Sequence, residues 1–148
     1  MSSSSLDSMI DFLEPVNIAH LTNDEGFKDT QLGTHIAVYD QAFPDLEKAD
    51  IVLVGCGEMR GAGIEYTNTD APNAIRLAFY NLYHWHTAVS VADIGNVKCG
   101  ATLQDSYAAL RMVINELTAI GKKVVILGGS HDVTMAQYQS YVHENKII

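Results

Sequence analysis

Three stretches of the chain are mostly apolar and contain many β-branched residues. They read ADIVLVGCG, AVSVADIG and VVILGG, at residues 49–57, 88–95 and 124–129. A strand that is covered on both faces has no polar side, so these runs predict buried strands of a parallel sheet. A weaker strand candidate is THIAVYD, at residues 34–40.

Other stretches carry apolar residues every three or four positions, which is the spacing of an amphipathic helix. The segment LDSMIDFLEPV predicts a short helix that Pro15 ends. A second helix is predicted to begin at Asp70, a suitable N-cap, with Pro72 in its first turn. We expect its buried face to consist of five apolar residues: Ala74, Leu77, Ala78, Leu82 and Trp85.

Two more helices are predicted, one on each side of VVILGG. Residues 103–121 predict a helix that ends at Gly121, a residue suited to the left-handed position after a C-cap. The buried stripe of that helix is expected to be Leu110, Val113, Ile114 and Leu117. The segment 130–146 predicts a helix after the glycine turn, and the final residues KII indicate the start of another strand.

Strands and helices therefore alternate along the chain. Because parallel strands need a crossover connection, usually a helix, this order predicts an α/β fold of three layers, with a mostly parallel sheet flanked by helices. No linker or repeat interrupts the pattern, so we expect a single domain over residues 1–148. Because KII reads as a strand cut short, we expect this domain to be the N-terminal part of a longer one.

Charge and composition restrict the classes of function. The net charge is −9 and the isoelectric point about 4.9, whereas nucleic-acid binding requires a basic face, so no nucleic-acid partner is expected. No apolar run approaches the ~18 residues of a membrane span, and the first residues lack the pattern of a secretory signal. Cys56 and Cys99 have no CxxC spacing, which predicts free thiols and a cytoplasmic protein.

The sequence GGSHD, at residues 128–132, is the strongest candidate for a metal-binding or catalytic site. Ligands of open parallel sheets bind beyond the carboxyl ends of the strands, and this segment follows such an end. The two glycines allow neighbouring loops to approach the backbone closely. An imidazole at His131 can bind a metal or move a proton. Ser130 and Asp132 can orient the ring from the second shell. In the alternative interpretation, Ser130 or Asp132 caps the next helix and His131 is a polar loop residue.

The loop GCGEMRGAG, at residues 55–63, follows another strand. Its glycines do not have the spacing G-x-G-x-x-G and no helix follows directly, so dinucleotide binding is disfavoured against a plain loop or a loop near a substrate. Within it, Glu58 and Arg60 are candidate substrate contacts. Asp93, in the strand VADIG, either supports the site by hydrogen bonding or has a structural role in a turn.

These segments together resemble the ureohydrolases, the family of arginase, agmatinase and formimidoylglutamase. LGGSHDVT resembles the family's Gly-Gly-Asp-His-Ser segment, which follows an LGG strand. IVLVGCGEMRGAG looks like its first strand and loop, APNAIRLAFY like its Gly-Pro-x-x-Ile-Arg helix start, and VADIGNV like its Asp-x-Gly-Asp-Val strand end. The resemblance covers residues 49 to 138.

The resemblance implies an arginase-like fold and hydrolysis of linear C–N bonds in small amidines or guanidines. It implies two Mn²⁺ ions, with His131 as one ligand and Asp132 and Ser130 in the second shell, and a homo-oligomer. Such carbons are poor electrophiles, which is why a hydroxide bridging two metal ions serves as the nucleophile. The family's two later aspartate-containing segments do not follow His131 here. We therefore expect an incomplete metal site and an inactive chain.

The order of residues around the histidine departs from the family pattern. Ser130 stands where the family has aspartate, and Asp132 occupies the position after the histidine. This variation favours the formimidoylglutamase-like branch. A competing hypothesis from another class is a non-catalytic α/β module that binds a partner or associates with itself.

Overall fold

The computed structural model describes residues 3–63 and 70–142. Two short helical turns, at Ile18–His20 and Arg60–Ala62, lie outside the numbered helices and strands. The helices and strands, in chain order, are α1 (Ser3–Ile10), β1 (Leu13–Glu14), α2 (Leu32–His35), β2 (Ala37–Val38), β3 (Ile51–Cys56), α3 (Ala71–Tyr80), β4 (Val91–Val97), α4 (Leu103–Ala119), β5 (Lys123–Leu127) and α5 (Val133–Tyr141).

The strands form one mostly parallel sheet. Strand β3 lies between β4 and β5 and is parallel to both, with Leu53 opposite Asp93 on one side and Val125 on the other. The short β2 is also parallel to β4, whereas β1 pairs with the end of β4 in the antiparallel direction. Strands β3, β4 and β5, which are joined through α3 and α4, thus run in the same direction, as the alternation along the sequence predicts.

Helices cover both faces of this sheet. From β3, Val52 and Val54 point into a core that α1, α4 and α5 share, and Leu53 points into a second core with Tyr80 of α3. Burial on both faces explains why β3 has no polar side. The prediction of a three-layer α/β fold is therefore confirmed.

The predicted helix before VVILGG is confirmed in detail. The four residues of its expected stripe, Leu110, Val113, Ile114 and Leu117, are all fully buried in α4. Its first turn has a capping box, in which Thr102 and Asp105 exchange hydrogen bonds. At its other end Gly121 has φ +76°, the left-handed conformation expected after a C-cap.

The buried face predicted for α3 is wrong. The helix ends at Tyr80, and the five predicted residues are exposed, including Leu77 at 49% and Trp85 at 76%. Pro72, Arg76 and Tyr80 face the sheet instead, at four-residue spacing. The physical reason is that Arg76 and Tyr80 find polar partners inside the protein, so that a partly polar face can be buried. Asp70 occupies the N-cap position without a side-chain capping bond.

Two other element boundaries also differ from the prediction. The first helix ends at Ile10, and Leu13–Glu14 form a strand, because Gly95 at φ +82° lets the backbone of Glu14 approach β4 closely. In THIAVYD, the first two residues close the turn of α2, with the Ile36 N–H donating to the Leu32 carbonyl at 3.1 Å. Only residues 37–38 of that segment form a strand.

The expectation that VVILGG is buried throughout is also wrong. Within the described sheet β5 is an edge strand, paired on one side only, and Val125 is 43% exposed. The predicted strand KII lies outside the described residues. In the described ranges no helix is long and apolar enough to cross a membrane.

Candidate functional site

Three loops leave the sheet at the carboxyl ends of β3, β4 and β5, and hydrogen bonds connect them. The Ser130 N–H donates to the carbonyl oxygen of Glu58 at 2.9 Å, which joins the β5 loop to the β3 loop. Arg60 donates from Nη2 to the carbonyl oxygen of Gly100 at 2.9 Å, which joins the β3 loop to the β4 loop. We refer to this group of connected loops as the carboxyl edge.

The two glycines of GGSHD make the turn that follows β5. Gly128 and Gly129 have φ values of +82° and +79°, a region that other residues rarely adopt. A Cβ on Gly128 would lie 2.9 Å from Cδ of Pro72, and one on Gly129 would lie 3.1 Å from the carbonyl oxygen of Cys56. The turn therefore requires glycine at both positions, for its backbone angles and for its close packing against α3 and β3.

His131 follows this turn and is exposed at the carboxyl edge. Its carbonyl accepts a hydrogen bond from the Thr134 N–H at 3.1 Å, so its backbone belongs to the start of α5. The imidazole makes no hydrogen bond to any residue in the described ranges. An exposed ring with no hydrogen bond in the described ranges is accessible to a ligand, and the role of His131 in binding metal stays a prediction.

Ser130 and Asp132 lie next to each other on the two sides of His131. The hydroxyl of Ser130, which is buried, donates to Oδ1 of Asp132, and Tyr107 of α4 donates its hydroxyl to Oδ2. Asp132 holds the N-cap position of α5, but its side chain makes no capping bond. Neither predicted second-shell residue has a hydrogen bond to the imidazole, and their second-shell role stays a prediction.

Glu58 and Arg60 form an ion pair that crosslinks the loops. Arg60 donates from Nε and Nη2 to the two carboxylate oxygens of Glu58, at 3.0 and 2.7 Å, and also to the backbone carbonyls of residues 100–102. Glu58 is fully buried. Burial raises the pKa of Glu58, but the hydrogen bonds from Arg60 and Ser106 outweigh it and hold this pKa at about 2. Contact of this pair with substrate stays a prediction.

A second buried ion pair lies beneath the carboxyl edge, between α3 and β4. Arg76 donates from Nε and Nη2 to the two oxygens of Asp93, both at 2.8 Å, and both residues are fully buried. The carboxylate also accepts from the Tyr80 hydroxyl at 2.8 Å and from the Gly95 N–H at 3.0 Å. Burial and the neighbouring Asp93 raise the pKa of Tyr80, so its hydroxyl remains a donor.

Sequence reasoning did not single out Arg76 or Tyr107. For Arg76 a signal existed, because Pro72, Arg76 and Tyr80 recur at four-residue spacing and Asp93 interrupts an apolar strand. An aspartate inside a strand that is predicted to be buried needs a polar partner, and an arginine on the helix before it can provide one. Tyr107 offered no comparable signal, since its contact with Asp132 depends on how α4 packs against α5.

Around His131 the described residues do not assemble a metal-binding cluster. Within residues 3–63 and 70–142, no group of three or more His, Cys, Asp or Glu side chains could hold a metal ion. His131 offers one imidazole, and both carboxylate oxygens of Asp132 already accept hydroxyl hydrogen bonds. Of these side chains, the imidazole of His131 has the chemistry of one manganese ligand. The described residues do not have the set of ligands that a complete manganese site needs.

The fold and the carboxyl edge define an α/β protein with a histidine displayed where such folds bind ligands. The chain belongs to the arginase family, whose family model matches residues 49–147. It is 33% identical over 70 residues to a formimidoylglutamase from Hahella chejuensis (strain KCTC 2396), a match that covers 47% of this chain and 21% of that protein.

Solved structures of similar fold come from Trypanosoma cruzi. An arginase superfamily protein superposes with a TM-score of 0.63 at 19% identity, covering 80% of this chain and 42% of that one. A formiminoglutamase with Mn²⁺ superposes with a TM-score of 0.64 at 19% identity, covering 80% and 41%. The chain thus spans well under half the length of these relatives. At this identity the structural similarity establishes the fold.

Proposed function

We propose that this chain supplies the N-terminal part of a manganese-dependent ureohydrolase that hydrolyses C–N bonds of linear amidines or guanidines. The observation that carries the proposal is the glycine turn that presents His131 at the carboxyl edge. Membership of the arginase family supports it, and the similarity to a formimidoylglutamase favours a formimino substrate over arginine or agmatine. We also expect a cytoplasmic homo-oligomer, as the sequence and the resemblance imply.

The residues of this chain define what it contributes to such a site. His131 provides an imidazole, the kind of ligand that accompanies carboxylates around Mn²⁺. Bound manganese would supply an activated hydroxide for attack on the amidine carbon. The remaining ligands are proposed to come from residues other than those described. The 148-residue chain by itself is therefore expected to bind Mn²⁺ weakly and to have no turnover.

Calorimetric titration with Mn²⁺ tests the ligand role of His131. The wild-type chain should bind weakly, His131→Ala should abolish that binding, and the control His20→Ala, which removes another exposed imidazole, should leave it unchanged. Binding that survives His131→Ala would contradict the assignment. Turnover is assayed in parallel with formiminoglutamate, arginine and agmatine. Turnover by this chain at a rate typical of enzymes would refute the expectation that its metal site is incomplete.

Exposed apolar residues favour a second candidate function, a module that associates with itself. Val125 is exposed on the edge strand β5, and Ile75 and Leu77 are exposed on α3. Within the described sheet the outer edge of β5 is unpaired, and an unpaired strand edge is a site for pairing with another chain. Sedimentation analysis should then show an oligomer that Val125→Lys disrupts and that the exposed control Thr134→Lys preserves. A monomer at all protein concentrations would exclude this function.

A further inference from the structure

The carboxylate of Asp132 is held from three parts of the chain. Tyr107 of α4 donates its hydroxyl to Oδ2, and Ser130 of the turn donates to Oδ1. On a third side the β3 loop passes so close that a Cβ on Gly61 would collide with the carboxylate. An aspartate with both oxygens accepting from hydroxyl groups and its remaining side closed by backbone has a fixed position.

The backbone on both sides of His131 is also fixed. Before it, the Ser130 N–H donates to the Glu58 carbonyl at 2.9 Å. After it, the Val133 N–H donates to the Ser130 carbonyl at 3.0 Å, and the Thr134 N–H donates to the His131 carbonyl at 3.1 Å. The backbone of His131 sets the direction of its Cα–Cβ bond, and the imidazole itself has no hydrogen bond to the described residues.

We propose that Tyr107 and Ser130 are positioning residues, which anchor Asp132 and thereby fix the direction of the Cα–Cβ bond of His131. Asp132 then acts as a support for the turn, and its carboxylate is not a metal ligand. The inference rests on the proposed function at one point only, which is the assignment of His131 as a manganese ligand. Hydrogen bonds to groups that hold a ligand in place commonly affect metal affinity tenfold or more.

Backbone ¹⁵N relaxation of the full chain tests the anchoring without a metal. Three variants are compared with the wild type: Tyr107→Phe, Ser130→Ala and the double variant. The wild type should have order parameters of about 0.85 at residues 130–132, and the double variant should approach the ~0.6 of a flexible segment. The control Tyr138→Phe removes the hydroxyl of an exposed tyrosine on α5 that has no hydrogen bond to a described residue, and should match the wild type. Wild-type order parameters in the double variant would overturn the inference.

Titration with Mn²⁺ provides the second readout, one that a purely structural role would not change. If the wild-type chain binds through His131, Tyr107→Phe should weaken binding about tenfold at a temperature well below its thermal midpoint, where the variant is folded. Unchanged affinity in the double variant would overturn the positioning role. If neither the wild type nor any variant binds manganese, the proposed ligand role fails, and the relaxation data alone decide whether Tyr107 and Ser130 anchor the turn.

Discussion

Removing the charge of Arg76 should destabilise the protein more than any substitution at its surface. The variant Arg76→Met leaves the carboxylate of Asp93 fully buried, with the Tyr80 hydroxyl and the Gly95 N–H as its donors. Breaking a buried ion pair by removing one partner costs about 3–5 kcal/mol, because an uncompensated charge remains inside. The upper part of this range applies here, since Asn96 also loses a hydrogen bond from Arg76, of 2.7 Å.

Urea unfolding followed by circular dichroism measures this cost in a double-mutant cycle. Arg76→Met, Asp93→Asn and the double variant are compared with Arg111→Met, which removes an exposed arginine and should change the free energy of unfolding by less than about 0.5 kcal/mol. The double variant should be less destabilised than the sum of the single variants by about 2 kcal/mol, because it leaves no buried charge without a partner.

A milder variant covers the case in which Arg76→Met does not fold, since domains of this size have a total stability of only about 5–15 kcal/mol. Tyr80→Phe removes one hydrogen bond to a charged group and should cost about 1.5–3 kcal/mol. Strict additivity of the single variants, or a cost of Arg76→Met near that of Arg111→Met, would refute the reasoning. Either result would mean that the pair is not a buried, mutually dependent unit.

Two further predictions concern the carboxyl edge. The folded-state pKa of Glu58, about 2, lies below its ordinary value of 4.5, so its contribution to stability is complete above pH 4.5 and is lost as the pH falls towards 2. This shift corresponds to about 3 kcal/mol, so the free energy of unfolding of Glu58→Gln should be lower than that of the wild type by that order at neutral pH, and the two should converge in acid. The exposed control Glu47→Gln should have the stability of the wild type at every pH. A difference between Glu58→Gln and the wild type that does not change with pH would count against the ion pair. Gly128→Ala should lower the free energy of unfolding by more than the ~1–2 kcal/mol of left-handed strain, because its methyl group also meets Pro72. The control Gly121→Ala has the same sign of φ and open space around it, so chemical unfolding should show only the cost of the strain. Equal costs at the two glycines would contradict the close packing at Gly128.

The elements that could be predicted from the sequence are those whose burial depends on apolar residues alone. Strand β3 and helix α4 have this character, and the residues expected to be buried in α4 are buried. The expected conformation at Gly121 was also found, because glycine is the residue that adopts positive φ without strain. Patterns of this kind depend on local sequence, and the tertiary structure does not override them.

Helix α3 shows why the rest of the prediction failed. Periodicity considers apolar residues, but the buried face of α3 carries Arg76 and Tyr80, whose polar groups are satisfied by Asp93 on β4. Whether a polar face can be buried depends on a partner that is distant in the sequence. The same argument applies to Tyr107, because its contact with Asp132 joins residues on α4 and at the start of α5. The position of His131 at the edge of the sheet was predictable from the strand that precedes it, and the way the turn is anchored was not.

The charged residues of the carboxyl edge connect its three loops. Glu58 holds the β5 loop through its backbone carbonyl and holds Arg60 through its carboxylate, and Arg60 in turn binds the loop after β4. A buried carboxylate needs such donors whether or not a ligand is present, so the crosslinks are a condition of folding and do not depend on binding. The turn that displays His131 is therefore ordered beforehand. Under the proposed function, a turn ordered in this way would present the imidazole of His131 to a metal ion at little entropic cost, since ordering a loop on binding reduces affinity.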